Sequence, residues 1–184
     1  MKSMRRREFI KAVSAMSAAS AFPTIISGTA LGLNGSTAPS NRIVMGCIGT
    51  GGRGTFNTKA FMSEPDVQVV AVCDVDRDHL EKARLLVNER YGNQDCKAYV
   101  DFRELIARDD IDAVAVNTPD HWHGLISIAA AKAGKDIYCE KPLTNTIAEG
   151  RVLYETVQRY GRVLQTGSHE RSRPNARYAC ELVR

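Results

Sequence analysis

The sequence lacks the cysteine patterns that indicate a metal centre or a disulfide framework. Its five cysteines form no C-x-x-C pair and no metal-binding spacing. Three of them, Cys47, Cys73 and Cys139, lie in apolar runs, where a thiol behaves as a small hydrophobic side chain. We therefore predict no metal site and no structural disulfide.

An excess of positive charge is also missing outside the amino terminus. The 184 residues carry a formal net charge of +4. Residues 1–40 hold five basic residues and one acidic residue, whereas the remainder holds 20 basic and 20 acidic residues. The body of the chain is neutral by count, so charge offers no argument for nucleic-acid binding. Its length allows one large domain, or one domain and part of another.

The first 40 residues are predicted to be an export signal and a linker. A basic start contains Arg6-Arg7-Glu8-Phe9-Ile10-Lys11, which resembles the twin-arginine signal. The segment that follows carries many Ser, Thr and Gly residues and Pro23, so we expect no stable membrane span. The resemblance implies the export machinery as a partner and a periplasmic location. A disordered or amphipathic basic tail is the alternative.

Residues 42–74 have the pattern of a dinucleotide-binding unit. An apolar run, the turn Gly49-Thr50-Gly51-Gly52-Arg53-Gly54, a helical stretch and a second apolar run follow one another. Gly49, Gly51 and Gly54 match G-x-G-x-x-G, the pattern of a tight turn that opens a helix beside a pyrophosphate. Backbone N–H groups and the helix dipole favour an anion there, so the pattern predicts phosphate binding without a basic side chain.

Asp74 ends the second apolar run, 20 residues after Gly54. A carboxylate at this point can accept hydrogen bonds from a ribose diol and would repel a 2′-phosphate, so the sequence favours NAD over NADP. Arg77 is the nearby feature that leaves NADP open. The alternative role for Asp74 is a turn or helix-capping acid, although Asp76 is an equally good cap.

The rest of the chain alternates predicted strands and helices. Strands are predicted at residues 97–100, 111–116, 136–139 and 162–166, and helices at residues 77–91, 101–108, 118–133 and 146–160. Thr118 is the predicted cap of the third of these helices, with Pro119 at its first position. This alternation predicts an α/β fold with a doubly wound parallel sheet. Ligands of such sheets bind beyond the carboxyl ends of the strands, which would bring together the glycine turn and Asp74, Asn117, Thr118, Glu140, Lys141 and Gln165.

Taken in order, these motifs resemble the Gfo/Idh/MocA-type oxidoreductases, which include glucose–fructose oxidoreductase and inositol dehydrogenase. The resemblance covers residues 42–184. It rests on the glycine turn, on Asp74, and on Thr118-Pro119-Asp120-His121-Trp122-His123, Ala133-Gly134-Lys135, Glu140-Lys141-Pro142 and Gln165-Thr166-Gly167. It implies a Rossmann-type NAD(P)-binding domain at residues 41–168. It also implies a second, α+β substrate domain, of which residues 169–184 would be only the start.

The resemblance also implies roles for individual residues. Lys141 is the expected catalytic residue, near the nicotinamide and the reacting carbinol, with Glu140 and His123 near the nicotinamide ribose. The complete set of expected cofactor-binding residues is Gly49, Thr50, Gly51, Gly52, Arg53, Gly54, Asp74, Asn117, Thr118, Pro119, His123, Glu140 and Lys141. A lysine beside a cofactor can share its proton with a substrate hydroxyl, although the tripeptide alone would equally suit a solvated lysine.

The sequence Asp120-His121-Trp122-His123 has a further interpretation to weigh. Two histidines at i and i+2 could bind a metal from a loop, but on a helix they point in different directions, so we predict no metal there. Trp122 is expected to pack against its neighbours rather than to form a stacking platform.

The resemblance predicts an oxidoreductase that transfers hydride between NAD and a sugar, a sugar derivative or a cyclitol. Two alternatives stay open. The first is a glycoside-cleaving enzyme on the same scaffold, which oxidises the sugar transiently, eliminates the aglycone and regenerates its NAD. The second is a non-catalytic nucleotide- or sugar-binding module. A homo-oligomer formed through the second domain is a further expectation.

Overall fold

The chain divides into two compact units, residues 1–39 and residues 40–184. The computed structural model describes residues 27, 28, 30–33 and 37–184. The predicted twin-arginine signal at residues 6–11 lies outside the described residues. Within the part of the chain that is described, none of the helices has the length and apolar character needed to cross a membrane.

The second unit is built on one parallel sheet, which has six strands within the described residues. They are β1 (Ile43–Ile48), β2 (Val67–Cys73), β3 (Lys97–Tyr99), β4 (Ala113–Val116), β5 (Asp136–Glu140) and β6 (Leu164–Gly167). Their order across the sheet is β3-β2-β1-β4-β5-β6, and every neighbouring pair is parallel. The order reverses between β1 and β4, where a crevice opens beyond the carboxyl ends. This confirms the predicted Rossmann-type doubly wound α/β fold.

Helices connect the strands. They are α1 (Gly52–Ser63), α2 (Arg77–Tyr91), α3 (Phe102–Ile106), α4 (Asp120–Lys132), α5 (Ile147–Tyr160) and α6 (Pro174–Leu182). Two 3-10 helices span Pro39–Asn41 and His169–Ser172.

Local sequence signals set the ends of α2 and α5 as predicted. The Asp76 carboxylate caps α2 by accepting the backbone N–H groups of Asp78 and His79 at 2.9 and 3.0 Å. Thr146 and Glu149 form the reciprocal capping box that begins α5. Glycines with positive φ, at residues 92 and 161, end the two helices.

The start of α4 differs from the prediction. The sequence predicts Thr118 as the cap, but Pro119 occupies the cap position and Asp120 is the first helical residue. Pro119 has φ −59° and ψ 152°, which is an extended conformation, so the helix cannot begin at this residue. Other boundaries also differ from the prediction: α3 ends at Ile106 and β4 begins at Ala113, each two residues from the predicted position.

The core lies on both faces of the sheet, as the nearly continuous apolar strands predict. Successive residues of β1 face opposite sides: Cys47 belongs to one buried cluster with Leu80 and Val87, and Ile48 belongs to the other with Leu105. All five cysteines are free, and four of them are buried. Burial raises the pKa of Cys47 to about 11, so this thiol behaves as a hydrophobic side chain, as the sequence predicts.

Candidate functional site

A cavity of about 630 Å³ lies in the crevice where the strand order reverses. This is the size of pocket that holds a small organic ligand or cofactor. The predicted site residues on its wall are Gly49, Gly51, Gly52, Arg53, Asp74, Asn117, Thr118 and Pro119. The fold thus brings the glycine turn, the acid after β2 and the segment after β4 to one place.

The conformation of the glycine turn explains two of its glycines. Gly49 has φ +80°, and a Cβ there would stand 2.6 Å from the backbone nitrogen of Thr118. A Cβ on Gly54 would overlap the carbonyl oxygen of Gly49, because α1 packs directly against the turn. A side chain at Gly49 would push the turn away from the segment after β4, and one at Gly54 would push α1 away from the turn. These are the close approaches that the G-x-G-x-x-G pattern predicts.

The amino terminus of α1 faces the cavity without a side-chain cap. Gly51 occupies the cap position and offers no side-chain acceptor to the first N–H groups of the helix. Gly51, Gly52 and Arg53 all line the cavity. The Arg53 guanidinium lies over the ring of Phe56, 5.2 Å from its centroid. The backbone N–H groups of this helix end are therefore the donors available to a pyrophosphate.

Asp74 lies across the crevice from this helix end and is bonded to the glycine turn. One carboxylate oxygen accepts the backbone N–H of Thr50 at 2.7 Å and the hydroxyl of Thr50 at 3.1 Å. The other oxygen accepts the backbone N–H of Asp76 at 3.0 Å. The cap of α2 is Asp76, so the helix-capping alternative for Asp74 is wrong. The turn alternative is confirmed, because the bond from the Asp76 N–H two residues later makes Asp74 a turn-forming acid. These three bonds leave about one lone-pair site of the carboxylate, on the oxygen that bonds Asp76, for a ribose hydroxyl.

Thr118 supplies an independent sign that the cavity is built for a polar ligand. Its hydroxyl oxygen is buried and has no hydrogen-bond partner within the described residues. Buried hydroxyls are normally hydrogen-bonded, so this one is open to a partner from outside the protein, either a ligand group or an ordered water. Together with the uncapped helix end and the anchored Asp74, this hydroxyl fits the polar groups of a dinucleotide.

Glu140 and Lys141 lie at the carboxyl end of β5, apart from the residues that line this cavity. Glu140 is 4% exposed, and its carboxylate accepts the side-chain amide of Asn57 at 2.7 Å. A ring nitrogen of His169 lies 2.9 Å from the same carboxylate. Burial raises the pKa of Glu140, but the hydrogen bonds from Asn57 and His169 outweigh it and leave the pKa below its ordinary value. Glu140 is thus a buried anion.

Lys141 is exposed, and its side chain makes no hydrogen bond or ion pair with any described residue. Its backbone N–H donates to the Glu140 carboxylate at 3.3 Å, and the Lys141–Pro142 peptide bond is cis. The catalytic role that the resemblance implies for Lys141 stays a prediction, since it requires a substrate. The free ammonium group is in a state that permits this role.

His123 is buried and joins the segments that follow β4 and β5. It is 1% exposed, and its two ring nitrogens lie 2.6 Å from the carbonyl oxygen of Pro142 and 2.7 Å from that of Thr118. These contacts give His123 the role of fixing both segments at the edge of the site. Its expected contact with the nicotinamide ribose stays a prediction.

Several residues of the site were not identified from the sequence. Asn57 donates its side-chain amide both to Asn117 and to Glu140, at 2.7 Å each, and so links two strand ends through α1. The sequence signal for Asn57 is its position three residues after Gly54, on the helix that packs against the turn. Further cavity-lining residues are Val75, His79, Val100, Phe102, Arg103 and Trp122.

Two sequence expectations about the site need correction. Trp122 is expected to pack against its neighbours, but it is 40% exposed and lines the cavity. Gln165 was expected at the carboxyl edge, but it pairs with Tyr138 within β6, which continues to Gly167.

The parallel sheet, the glycine turn and the anchored acid define a nicotinamide-dinucleotide-binding domain. The chain belongs to the Gfo/Idh/MocA family: residues 43–168 match the family described as an oxidoreductase family with an NAD-binding Rossmann fold. This confirms the family and the class of cofactor expected from the motifs.

The chain is similar to known enzymes over part of their length. The chain is 31% identical to an alpha-N-acetylgalactosaminidase of Shewanella oneidensis, over 86% of this chain and 38% of that protein. Among solved structures it resembles a myo-inositol 2-dehydrogenase from Lactobacillus plantarum, with 26% identity, a TM-score of 0.67, and coverage of 77% of this chain and 41% of that one. It also resembles a 3-ketoreductase from Actinomadura kijaniata in complex with NADP, with 26% identity, a TM-score of 0.66, and coverage of 78% and 44%. The chain thus spans about two fifths of the length of these relatives.

Proposed function

We propose that the protein transfers hydride between NAD and a ring carbon of a sugar, a sugar derivative or a cyclitol. The observation that carries this proposal is the placement of Asp74 opposite the uncapped end of α1, on the wall of one cavity. The similarity to a myo-inositol dehydrogenase and to a 3-ketoreductase supports hydride chemistry on a ring. The substrate class is an inference from these relatives.

Different groups on the cavity wall are proposed to bind different parts of the cofactor. The backbone N–H groups at the start of α1 hold the pyrophosphate, and Asp74 accepts a hydrogen bond from the adenosine ribose. The Asp74 carboxylate is anchored on Thr50, so its charge remains in place to repel a 2′-phosphate. Arg77 does not line the cavity. We therefore propose NAD rather than NADP as the preferred cofactor.

Lys141 is the proposed acid–base group on this domain. NAD, when bound, supplies the hydride acceptor at its nicotinamide ring. The Lys141 side chain is exposed and unpaired among the described residues. As the neutral amine it takes the proton of the substrate hydroxyl while the hydride leaves the carbon, and as the ammonium it returns that proton in the reverse direction. His123 holds the Pro142 segment through its carbonyl oxygen and keeps this part of the edge in place.

A second function is favoured by one observation. The relative from Shewanella oneidensis that is 31% identical over 86% of the chain is a glycosidase. On the same scaffold, an enzyme that oxidises a sugar transiently would release the aglycone and regenerate NAD. Release of a free sugar without net accumulation of NADH supports this function, whereas NADH accumulating in step with sugar oxidation supports the dehydrogenase.

Trp122 offers a direct test of cofactor binding, because it is the single tryptophan of the sequence and lines the cavity. NADH absorbs where tryptophan emits, so its binding should quench Trp122 emission and sensitise NADH emission. Titration with NADH, followed by its displacement with NAD and with NADP, then gives the order of affinities. Tighter binding of NADP than of NAD, or binding of neither, would refute the proposal.

Lys141→Ala separates an enzyme from a binding module. The variant should bind NAD like the wild type and lose turnover, since Lys141 lies outside the cavity that holds the glycine turn. Turnover unchanged by this substitution would assign catalysis to another group, whereas absence of turnover in wild type and variant alike would support a non-catalytic module.

We also propose that the protein is exported to the periplasm by the twin-arginine route. The proposal rests on the Arg6-Arg7 pair and the Phe9-Ile10 pair that follows it. A reporter fused to the chain should reach the periplasm, and replacement of both arginines by lysine should retain it in the cytoplasm. Equal export of the two fusions would refute this route.

A further inference from the structure

The Glu140 carboxylate collects hydrogen-bond donors from three separate parts of the chain. Asn57 of α1 donates its side-chain amide at 2.7 Å, and the Lys141 backbone N–H donates at 3.3 Å. His169, in the 3-10 helix after β6, places a ring nitrogen at 2.9 Å. Asn57 and Glu140 are each 4% exposed, so these protein groups replace water around the carboxylate.

The contact with Glu140 determines which ring nitrogen of His169 carries a hydrogen. An ionised carboxylate only accepts hydrogen bonds, so the Nε2 atom that faces it must be the donor. The Tyr138 hydroxyl also hydrogen-bonds the Glu140 carboxylate, and Lys141, which bonds it through the backbone, is the next residue of the chain. Burial raises the pKa of Tyr138, and the neighbouring charge of Glu140 raises it further. Tyr138 is therefore a neutral group, and His169 and Lys141 are the two bases that can pair with Glu140.

Lys141 follows Glu140 directly in the chain, yet its ammonium has no partner among the described residues. A lysine beside an accessible carboxylate would pair with it, and the pair would hold the ammonium away from a substrate. Here the two carboxylate oxygens are engaged by Asn57 and by His169 instead.

We propose that His169 is a positioning residue, which by bonding the Glu140 carboxylate withholds it from Lys141 and keeps the Lys141 ammonium free for a substrate hydroxyl. This inference rests on the proposed role of Lys141. It assigns a function to the turn after β6, beyond the residues that match the family. Asn57 acts with His169 from the opposite side, through α1.

The reactivity of Lys141 toward an amine-acylating reagent tests this inference without cofactor or substrate. Only the neutral amine is acylated, and an ion pair with Glu140 favours the ammonium form. His169→Ala should therefore slow the acylation of Lys141 by about two- to fivefold, the strength of an exposed ion pair. Peptide mapping by mass spectrometry gives the rate at this one residue, and the unmodified fraction of other exposed lysines gives the internal reference.

Two further variants serve as controls. His169→Gln retains an amide donor that can bond the carboxylate, so it should restore the wild-type rate. Glu170→Gln changes the next residue of the same turn, whose ion pair is with Arg173 at the surface, and should leave the rate unchanged. In steady-state assays His169→Ala should lower kcat and leave the KM for NAD unchanged.

The Glu140→Gln background makes the test decisive. Without the charge of Glu140, His169→Ala should no longer slow the acylation of Lys141. An unchanged rate in His169→Ala, or an equal slowing in the Glu140→Gln background, would overturn the inference. Failure of the proposed function is a separate result, because it shows as absent NAD binding in the wild type while this comparison of rates still holds.

Discussion

The carboxylate of Asp74 accepts the backbone N–H of Thr50 at 2.7 Å, and this bond joins the segment after β2 to the glycine turn after β1. Thr50 is buried, so this bond satisfies a donor that has little access to water. The same acid therefore supports the turn and stands ready to accept a hydroxyl of a ribose. The Asp74 side chain thus serves both cofactor binding and the stability of the glycine turn.

Replacement of Asp74 by Ala should weaken NAD binding and reduce the preference for NAD over NADP. Loss of a charge-assisted hydrogen bond should lower the affinity for NAD by about 10- to 100-fold. The affinity for NADP should fall less, because the substitution also removes the repulsion between the Asp74 carboxylate and the 2′-phosphate. Displacement of bound NADH by NAD and by NADP, followed through Trp122 emission, measures the ratio.

Asp76→Ala is the matched control for this experiment. It removes the cap of α2 and should cost about 1 kcal/mol of unfolding free energy. The ratio of NAD to NADP affinity should stay at the wild-type value. A ratio unchanged in Asp74→Ala as well would contradict the assignment of Asp74 to the ribose.

Gly54→Ala should disrupt the site through the backbone. The added Cβ overlaps the Gly49 carbonyl oxygen, so α1 and the turn must move apart. Overpacking of this kind costs about 1–3 kcal/mol of unfolding free energy, and the displaced helix end should no longer hold a pyrophosphate. Thermal unfolding and NAD titration measure the two effects.

Gly52→Ala provides the comparison, because a Cβ at that position meets no atom within 4 Å. Its unfolding free energy should equal or slightly exceed the wild-type value, since alanine restricts the unfolded chain. Equal melting temperatures for both alanine variants would show that the packing of α1 on the turn is less close than described.

The acid sensitivity of the fold should depend on Glu140. Its pKa is lowered in the folded state, so its contribution to stability is fully present above the ordinary value near 4.5 and is lost as the pH falls through the folded pKa. The difference in unfolding free energy between wild type and Glu140→Gln should therefore be largest at neutral pH and should shrink below about pH 4.5. Chemical denaturation at several pH values measures it.

Other carboxylates with lowered pKa values, such as Asp76 and Asp101, are common to both proteins of this pair. Their titration cancels in the difference. A difference that grows toward acidic pH would mean that Glu140 is protonated more readily in the folded protein than in the unfolded chain.

Lys135 should stabilise the edge of the sheet opposite to the site. This lysine is 6% exposed, and its ammonium donates to the carbonyl oxygens of Arg108 and Ile111 at 2.6 and 2.8 Å. Lys135→Met leaves two carbonyls unsatisfied and should cost about 1–3 kcal/mol of unfolding free energy. NAD affinity should not change, whereas exposed Lys132→Met should alter neither quantity. An unfolding free energy that stays unchanged in Lys135→Met would indicate that water replaces the ammonium.

Local signals made most of the fold predictable. The glycine turn, the Asp76 cap and the capping box at Thr146 each act within a few residues of sequence, and the structure has all three. The start of α4 was mispredicted because Thr118 and Pro119 satisfy the capping rule in sequence, whereas the extended backbone at Pro119 delays the helix.

The polar contacts around Glu140 could not be predicted in this way. Asn57 and His169 lie 83 and 29 residues from Glu140 in sequence. Only the packing of α1 against the sheet and the path of the chain after β6 bring them to one carboxylate. Neither contact follows from a local motif, so the sequence indicates the acid but not its hydrogen-bond partners.

The distribution of thiols gives the protein a built-in measure of its own folding. Burial raises the pKa of Cys73 to about 12 and those of Cys96 and Cys139 to about 11, and Cys47 is buried in the same way. Cys180 alone is exposed among the five. A maleimide should consequently add one label to each native molecule and five to each denatured one, so intact mass can count folded molecules without a spectroscopic probe.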